Sequence, residues 1–316
     1  MRPVVSPSGQ PARAAQGTRS GRPTAAGAAV AGRSPGGARG ATTRTPGLRV
    51  RRLSRAAEDG FRSPLAPGLR SVADAERLAA ELTFAATRLA RLASDPPGLY
   101  AEVADAGADV EERTWLAFLI AYLGPLEQER PFAEIERVRE PWAGSAEPAL
   151  DGVGLGPRTA HDPDRGSRTI DAYRAWAARA GSQAAAFAGD ESWAPERRFE
   201  RAFERLALPG LHRGARFELL ASLGRLGVYE LRAPSLGLGG DDAVTLASKR
   251  VLGIGDKLLL ERRAVELAQA LGVPLEALDL GLFNWERGTR AGVGIDPRQE
   301  PDAELLAGAR AALGLP

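Results

Sequence analysis

The stretch KRVLGIGDKLLLER, residues 249–262, sets two glycines around one isoleucine between two segments that both read as helix. Upstream, DDAVTLASKRV (241–251) begins at an aspartate placed to cap a helix and runs unbroken to the turn. Downstream, Leu260, Ala264, Leu267, Ala268 and Leu271 follow one another at i, i+4, i+7, i+8 and i+11, the spacing of a single helical stripe. Glycine accepts positive φ and has no side chain in the way, so Gly253 and Gly255 let the backbone reverse tightly and come close to whatever lies outside the turn. The stretch also holds Lys249 and Lys257, the only lysines among 42 basic residues. A helix–hairpin–helix unit spanning about 246–272 is the piece from which the fold is read.

Working outward, the same period continues. SVAD at 71–74 offers a serine cap, and Leu78, Leu82, Ala85, Leu89 and Leu92 form a stripe that DPP (95–97) ends. WLAFLIAYL (115–123) is apolar all round, which fits a central core helix among helical neighbours. Phe199, Phe203 and Leu206 mark another helix, and Phe217, Leu220 and Leu223 the next. Residues 140–168 break the pattern as a loop-rich insertion. Its GVGLG (152–156) lacks the preceding strand and following helix of a nucleotide-binding glycine loop, and SLGLGGDD (235–242) reads as a turn ending in an aspartate cap. With no period-two alternation and no repeat, the body is expected to be all-α over 71–316, preceded by a disordered tail over 1–70.

Composition narrows the chemistry. There is no cysteine, which excludes disulfides, thiolate zinc sites and iron–sulfur clusters. His161 and His212 both stand in loops and read as solvated, so neither a metal site nor a cofactor is expected. No apolar run approaches the roughly 18 residues of a membrane helix, and the N-terminus lacks the apolar core of an export signal, so a cytoplasmic location is expected. The net charge of +2 hides an asymmetry: residues 1–57 hold eleven arginines and no acid, whereas residues 58–316 carry 31 basic against 40 acidic groups, a balance of −9. The Gly/Pro/Arg-rich tail cannot bury enough apolar surface to fold, whether it is a basic arm for nucleic acid or sequence translated from an early start codon.

The hairpin and the residues beyond it resemble the helix–hairpin–helix DNA glycosylase superfamily of the endonuclease III type. VLGIGDK supplies the hairpin with Lys257 on the family's lysine position; VPLEALDLGLF supplies the later proline-led segment, with Pro274 five residues before Asp279; WLAFLIAYL resembles the family's central helix. The likeness covers about 115–285 and departs at Leu252, where the family has proline, at Leu258–Leu259 and at Asp256, an acid where a phosphate would sit. The resemblance implies a base flipped out of the duplex. It implies Asp279 as the carboxylate that stabilises the sugar cation or activates water, Lys257 as a Schiff-base nucleophile, and Lys249, Arg250, Gly253, Ile254 and Gly255 as the DNA-binding edge. Asp279 and Lys257 are then expected in one cleft with the turn at its rim, and Asp279→Asn to abolish base release without altering the melting temperature. A relative processing modified bases or nucleotides is a close variant of this reading. The alternative is a non-enzymatic helical interaction module in which the turn is only a corner, Lys257 pairs with Glu261, and Asp279 is a cap or turn residue.

Overall fold

The computed structural model describes residues 57–316 except Ser145. Among these residues there are twelve α-helices, one short 3-10 turn at Pro163–Arg165, and no strand. The helices are α1 (Val72–Ser94), α2 (Leu99–Ala104), α3 (Val110–Leu123), α4 (Ala133–Val138), α5 (Arg168–Ala180), α6 (Gln183–Ala188), α7 (Pro195–Arg205), α8 (Arg213–Arg225), α9 (Ala243–Leu252), α10 (Lys257–Ala270), α11 (Leu275–Arg287) and α12 (Ala303–Leu313). No described helix is long and apolar enough to cross a membrane.

Two long-range packings organise these helices. In the first, α3 is the hub: every residue from Arg113 to Leu123 is buried, and the helix packs against α2, α4, α6 and α8. A helix with no polar face has no side to leave in water, so its burial follows from its sequence. In the second, α1 lies along α11 and also meets α8 and α12, while α9 and α10 pack on α11. Gly281 permits that approach, because a Cβ on it would stand 2.6 Å from Leu82 Cδ2 and 2.9 Å from Leu82 Cα.

Helix starts are fixed locally, as the sequence leads one to expect. Ser71 Oγ accepts the Asp74 N–H at the head of α1, Asp242 caps α9, and Gly272 at φ 65 turns the chain from α10 towards Pro274 and α11.

The expected tail boundary at 70 is not where the body begins. Residues 57–70 are part of it: Phe61, Ala66 and Leu69 are buried, the Asp59 carboxylate accepts the Val72 N–H at 2.8 Å, and the Gly68 N–H donates to the Val251 carbonyl at 2.9 Å. The expectation for 1–56 lies outside the described residues. The insertion is loop over 140–167 apart from its 3-10 turn, with Arg168 opening α5, and it is not a surface embellishment. Leu150, Arg158, Ala160 and His161 are buried in the body.

Candidate functional site

The glycines of the hairpin serve the chain itself. Gly253 ends α9 in the left-handed region at φ 66, where a side chain would be strained. Its outer face is occupied by Pro67–Gly68: a Cβ on Gly253 would sit 3.4 Å from the Gly68 nitrogen, and one on Gly68 would sit 1.9 Å from the Arg250 carbonyl oxygen. The close backbone approach that the motif allows is therefore made by residues 67–68. Gly255 and Asp256 are exposed, and nothing lies within 4 Å of where a Gly255 Cβ would be. Asp256 Oδ1 accepts the Leu259 N–H at 2.9 Å, so the head of α10 already holds an anion from its own chain.

The basic residues of the hairpin have separate fates. Arg250 is tied to both carboxylate oxygens of Glu286, at 2.6 and 2.7 Å, and lies 5.3 Å from the Trp285 ring centre. Lys249 is half-buried and Lys257 exposed; neither has an ion-pair partner among the described residues. The Lys257–Glu261 pair does not form. Glu261 instead accepts the backbone N–H groups of Leu236, at 2.8 Å, and of Leu238. Beside the turn, Leu258 is 81% and Leu259 40% exposed, and Ile254 is half-buried.

Asp279 occupies the second turn of α11 and is 2% exposed, so it is neither a cap nor a turn residue. Its Oδ1 accepts from Arg213 Nη2 at 2.6 Å and its Oδ2 from Arg158 Nη2. Burial pushes the carboxyl up, but the two guanidiniums outweigh it and hold Asp279 below the ordinary aspartate value. Four segments meet here. The insertion loop supplies Arg158, α8 supplies Arg213, α11 supplies Asp279, and the 236–242 turn receives Arg213 on the Leu236 carbonyl at 3.0 Å and on Asp242 Oδ1 at 3.1 Å. Arg158 also lies 4.8 Å from the Phe283 ring centre, and its Nη1 is buried with no partner.

His212 borders this cluster, and His161 is joined to it only through Thr159. His212 caps α8: Nδ1 accepts the Ala215 N–H at 3.2 Å, so Nε2 carries the proton and donates to the Thr159 carbonyl at 2.9 Å. Although the residue is exposed overall, desolvation of its ring, then Arg158 and Arg213, hold its pKa below the usual histidine value against the opposing Thr159 carbonyl. His161 is buried, contrary to the solvated reading, and its Nδ1 meets the Tyr122 hydroxyl at 2.9 Å. Burial lowers its pKa as well, with Asp162 opposing.

Lys257 approaches the 236–242 turn directly, and Asp279 is linked to it through Arg213. Lys257 Nζ lies 4.0 Å from the place of a Gly239 Cβ, while Arg213 stands between that turn and Asp279. Asp279 is enclosed by guanidiniums and Lys257 faces outward, so the expected open cleft joining them is not formed by these side chains. A surface cleft of about 630 Å³ lies elsewhere, along Arg91, Glu127, Phe132, Asp296 and Arg298. No metal-binding group of three His, Asp or Glu residues occurs among the described residues. Arg158 and Arg213 are the participants that sequence reading misses; one sits in the loop set aside as an insertion, the other directly after the His212 cap. No family model, no curated protein and no solved structure matches the chain.

Proposed function

We propose that the chain is a glycosylase-like helical protein that processes a base or nucleotide at the Asp279 centre and meets DNA along the edge carrying Lys249 and Lys257. One observation carries this reading. The carboxylate that follows Pro274 by five residues is buried where four segments converge, and it is kept ionised by two guanidiniums from distant parts of the chain. For this carboxylate to stabilise a sugar that gains positive character as its base departs, one of the two guanidiniums has to turn away from it when substrate binds. A buried titratable group of shifted pKa, with polar partners from several elements, is the kind of cluster that catalytic sites use. Exposure of Lys257 suits it to a phosphate contact rather than to attack on a sugar carbon, which needs a desolvated amine. Gly253, Ile254 and Gly255 then position the lysines and touch ligand only through the open Gly255 side.

A second reading rests on its own observation. Both Asp279 oxygens are already occupied by guanidiniums, and Leu258 and Leu259 are exposed at the turn, as in a helical interaction module whose ion cluster is structural. The test is product release. The full chain is incubated with duplex and single-stranded DNA bearing damaged or modified bases, and with the matching nucleotides, and free base or altered nucleotide is quantified by chromatography. Product that Asp279→Asn and Asp279→Glu both eliminate supports processing. No product from any of these substrates leaves the module.

A further inference from the structure

The surface cleft of about 630 Å³ shares no residue with the Asp279 cluster. Three segments build it: the end of α1 with Pro97–Gly98, the 126–132 loop after α3, and the 294–298 loop after α11. Its volume is that of a small-molecule site. One wall is held by unusual means. Val293 stands at φ 46, the only non-glycine residue in the left-handed region among the described residues, a conformation that is unfavourable for a β-branched side chain. Buried Arg88 donates from Nε to the Val293 carbonyl at 3.0 Å and is itself fixed by Glu218 and the Tyr100 hydroxyl. Glu127 accepts the Gly292 N–H at 3.0 Å. Gly294 and Ile295, which follow Val293, line the cleft, so this wall is set before any ligand arrives.

The charges of the cleft are a second observation. Arg91, Arg298, Glu127, Glu129 and Asp296 line it, and none of the five has an ion-pair partner among the described residues, although Arg130 beside them pairs with Glu136 at 3.1 Å. Arg91 donates to the neutral Gln299 at 3.3 Å. Although Glu127 is exposed overall, desolvation of its carboxyl raises its pKa above the ordinary glutamate value against the Gly292 and Val293 N–H groups, and the charge of Asp296 adds to the rise. Two carboxylates therefore feel one another's charge with no cation between them, and two guanidiniums line the same cleft with no anion.

We infer that the cleft binds a zwitterion, an amino acid or short peptide with an apolar side chain, whose ammonium goes to Glu127 and Asp296 and whose carboxylate goes to Arg91 and Arg298. One ligand of this class satisfies both sets of charges with charge-assisted hydrogen bonds. Its side chain meets the apolar part of the lining, Leu126, Phe132 and Ile295. A ligand of one sign leaves the other set unmet. The inference stands apart from the reading of the Asp279 centre.

Binding by the full chain is measured calorimetrically with leucine and leucyl-leucine, and with isopentylamine and isocaproate as counterparts that carry one charge each. The variants are Glu127→Gln, whose amide oxygen still accepts the Gly292 N–H, and Arg298→Gln on the exposed rim. Loss of a charge-assisted hydrogen bond weakens binding about tenfold, so each variant is expected to raise Kd for the zwitterion by that factor, and each one-charge counterpart to bind leucine's site more weakly by as much. Arg298 makes no ion pair among the described residues, so its variant keeps the test decisive even where Glu127→Gln loosens the Val293 turn. Tighter binding of leucyl-leucine than of leucine assigns the cleft to peptides, and the reverse assigns it to free amino acids. No binding by either zwitterion, an amine or a carboxylate bound as tightly as leucine, or a Kd unchanged in either variant overturns the inference.

Discussion

At the scale of single residues, Asp279 is the most exacting position. Its removal leaves two buried guanidiniums facing an uncharged neighbour, and breaking a buried ion pair costs about 3–5 kcal/mol. Asp279→Asn is therefore expected to lower stability by that order, which replaces the sequence-based expectation of an unchanged melting temperature; a denaturant titration of the variant measures it. Because the folded carboxyl is depressed, its contribution is present above the unfolded value of about 3.9 and disappears as pH falls through the folded value. The histidines give a window closer to neutrality. His161 and His212 both have lowered folded values, so their neutral forms favour the fold, fully above about 6.5 and decreasingly as pH falls below it. Melts at pH 7.5 and 5.0 are expected to show a larger acid loss in the wild type than in His161→Gln, where the titrating ring is absent; equal losses would remove His161 from this account. Asp279 is legible in sequence through its spacing from Pro274. Arg158 is not, because its partner lies 121 residues away and nothing local announces that a GPR turn will reach a buried carboxylate.

At the scale of elements, what reads from sequence is what depends on near neighbours. The α1 stripe with its Ser71 cap, the all-apolar α3 and the two helices around the glycine turn follow from periodicity and capping, which act within a few residues. Residues 57–70 do not, since their composition is that of a loop and their burial is decided by the far end of α9. A chain beginning at 57 and one beginning at 71 differ by Phe61, Ala66 and Leu69, all buried. Burial of the two large side chains contributes about 3–6 kcal/mol, so the shorter chain is expected to melt roughly 10 °C lower. Equal melting of the two would show that this segment does not hold α9. Gly281 makes the companion case inside a helix. Alanine is the better helix former, yet at this position its methyl meets Leu82 and, at 3.0 Å, the Glu81 carbonyl oxygen. Crowding wins over propensity: Gly281→Ala is expected to cost about 1–3 kcal/mol in denaturant titrations, whereas Gly214→Ala, with its nearest neighbours at 3.5 Å, is expected to be neutral or stabilising.

At the scale of the whole molecule, the arginines divide between interior and surface. Arg88 pairs with Glu218 at 2.6 Å in the core and Arg290 with Glu81 at 2.9 Å near it, which ties α1 to α8 and to the chain beyond α11. Such pairs take one charge of each sign, so the balance of residues 58–316 stays at 31 basic against 40 acidic groups, or −9. Eleven further arginines lie before residue 57. Charge counting makes this division legible from sequence, but not which cations stay free, since that depends on ion pairs between remote residues such as Arg250 and Glu286. The consequence for DNA is quantitative. Each phosphate neutralised on a duplex adds about 0.9 to the slope of log K against log salt. Under the proposed DNA contact, the two lysines of the hairpin edge are expected to give residues 57–316 a slope near −2, and Lys249→Ala and Lys257→Ala should each reduce its magnitude by about 0.9. The full chain, with eleven more arginines, is expected to bind more steeply. Titrations of a duplex at four salt concentrations separate the terms. A salt-independent or absent interaction of residues 57–316 would exclude the hairpin edge as a DNA contact, and a steep slope that survives loss of both lysines would place the contact on another face.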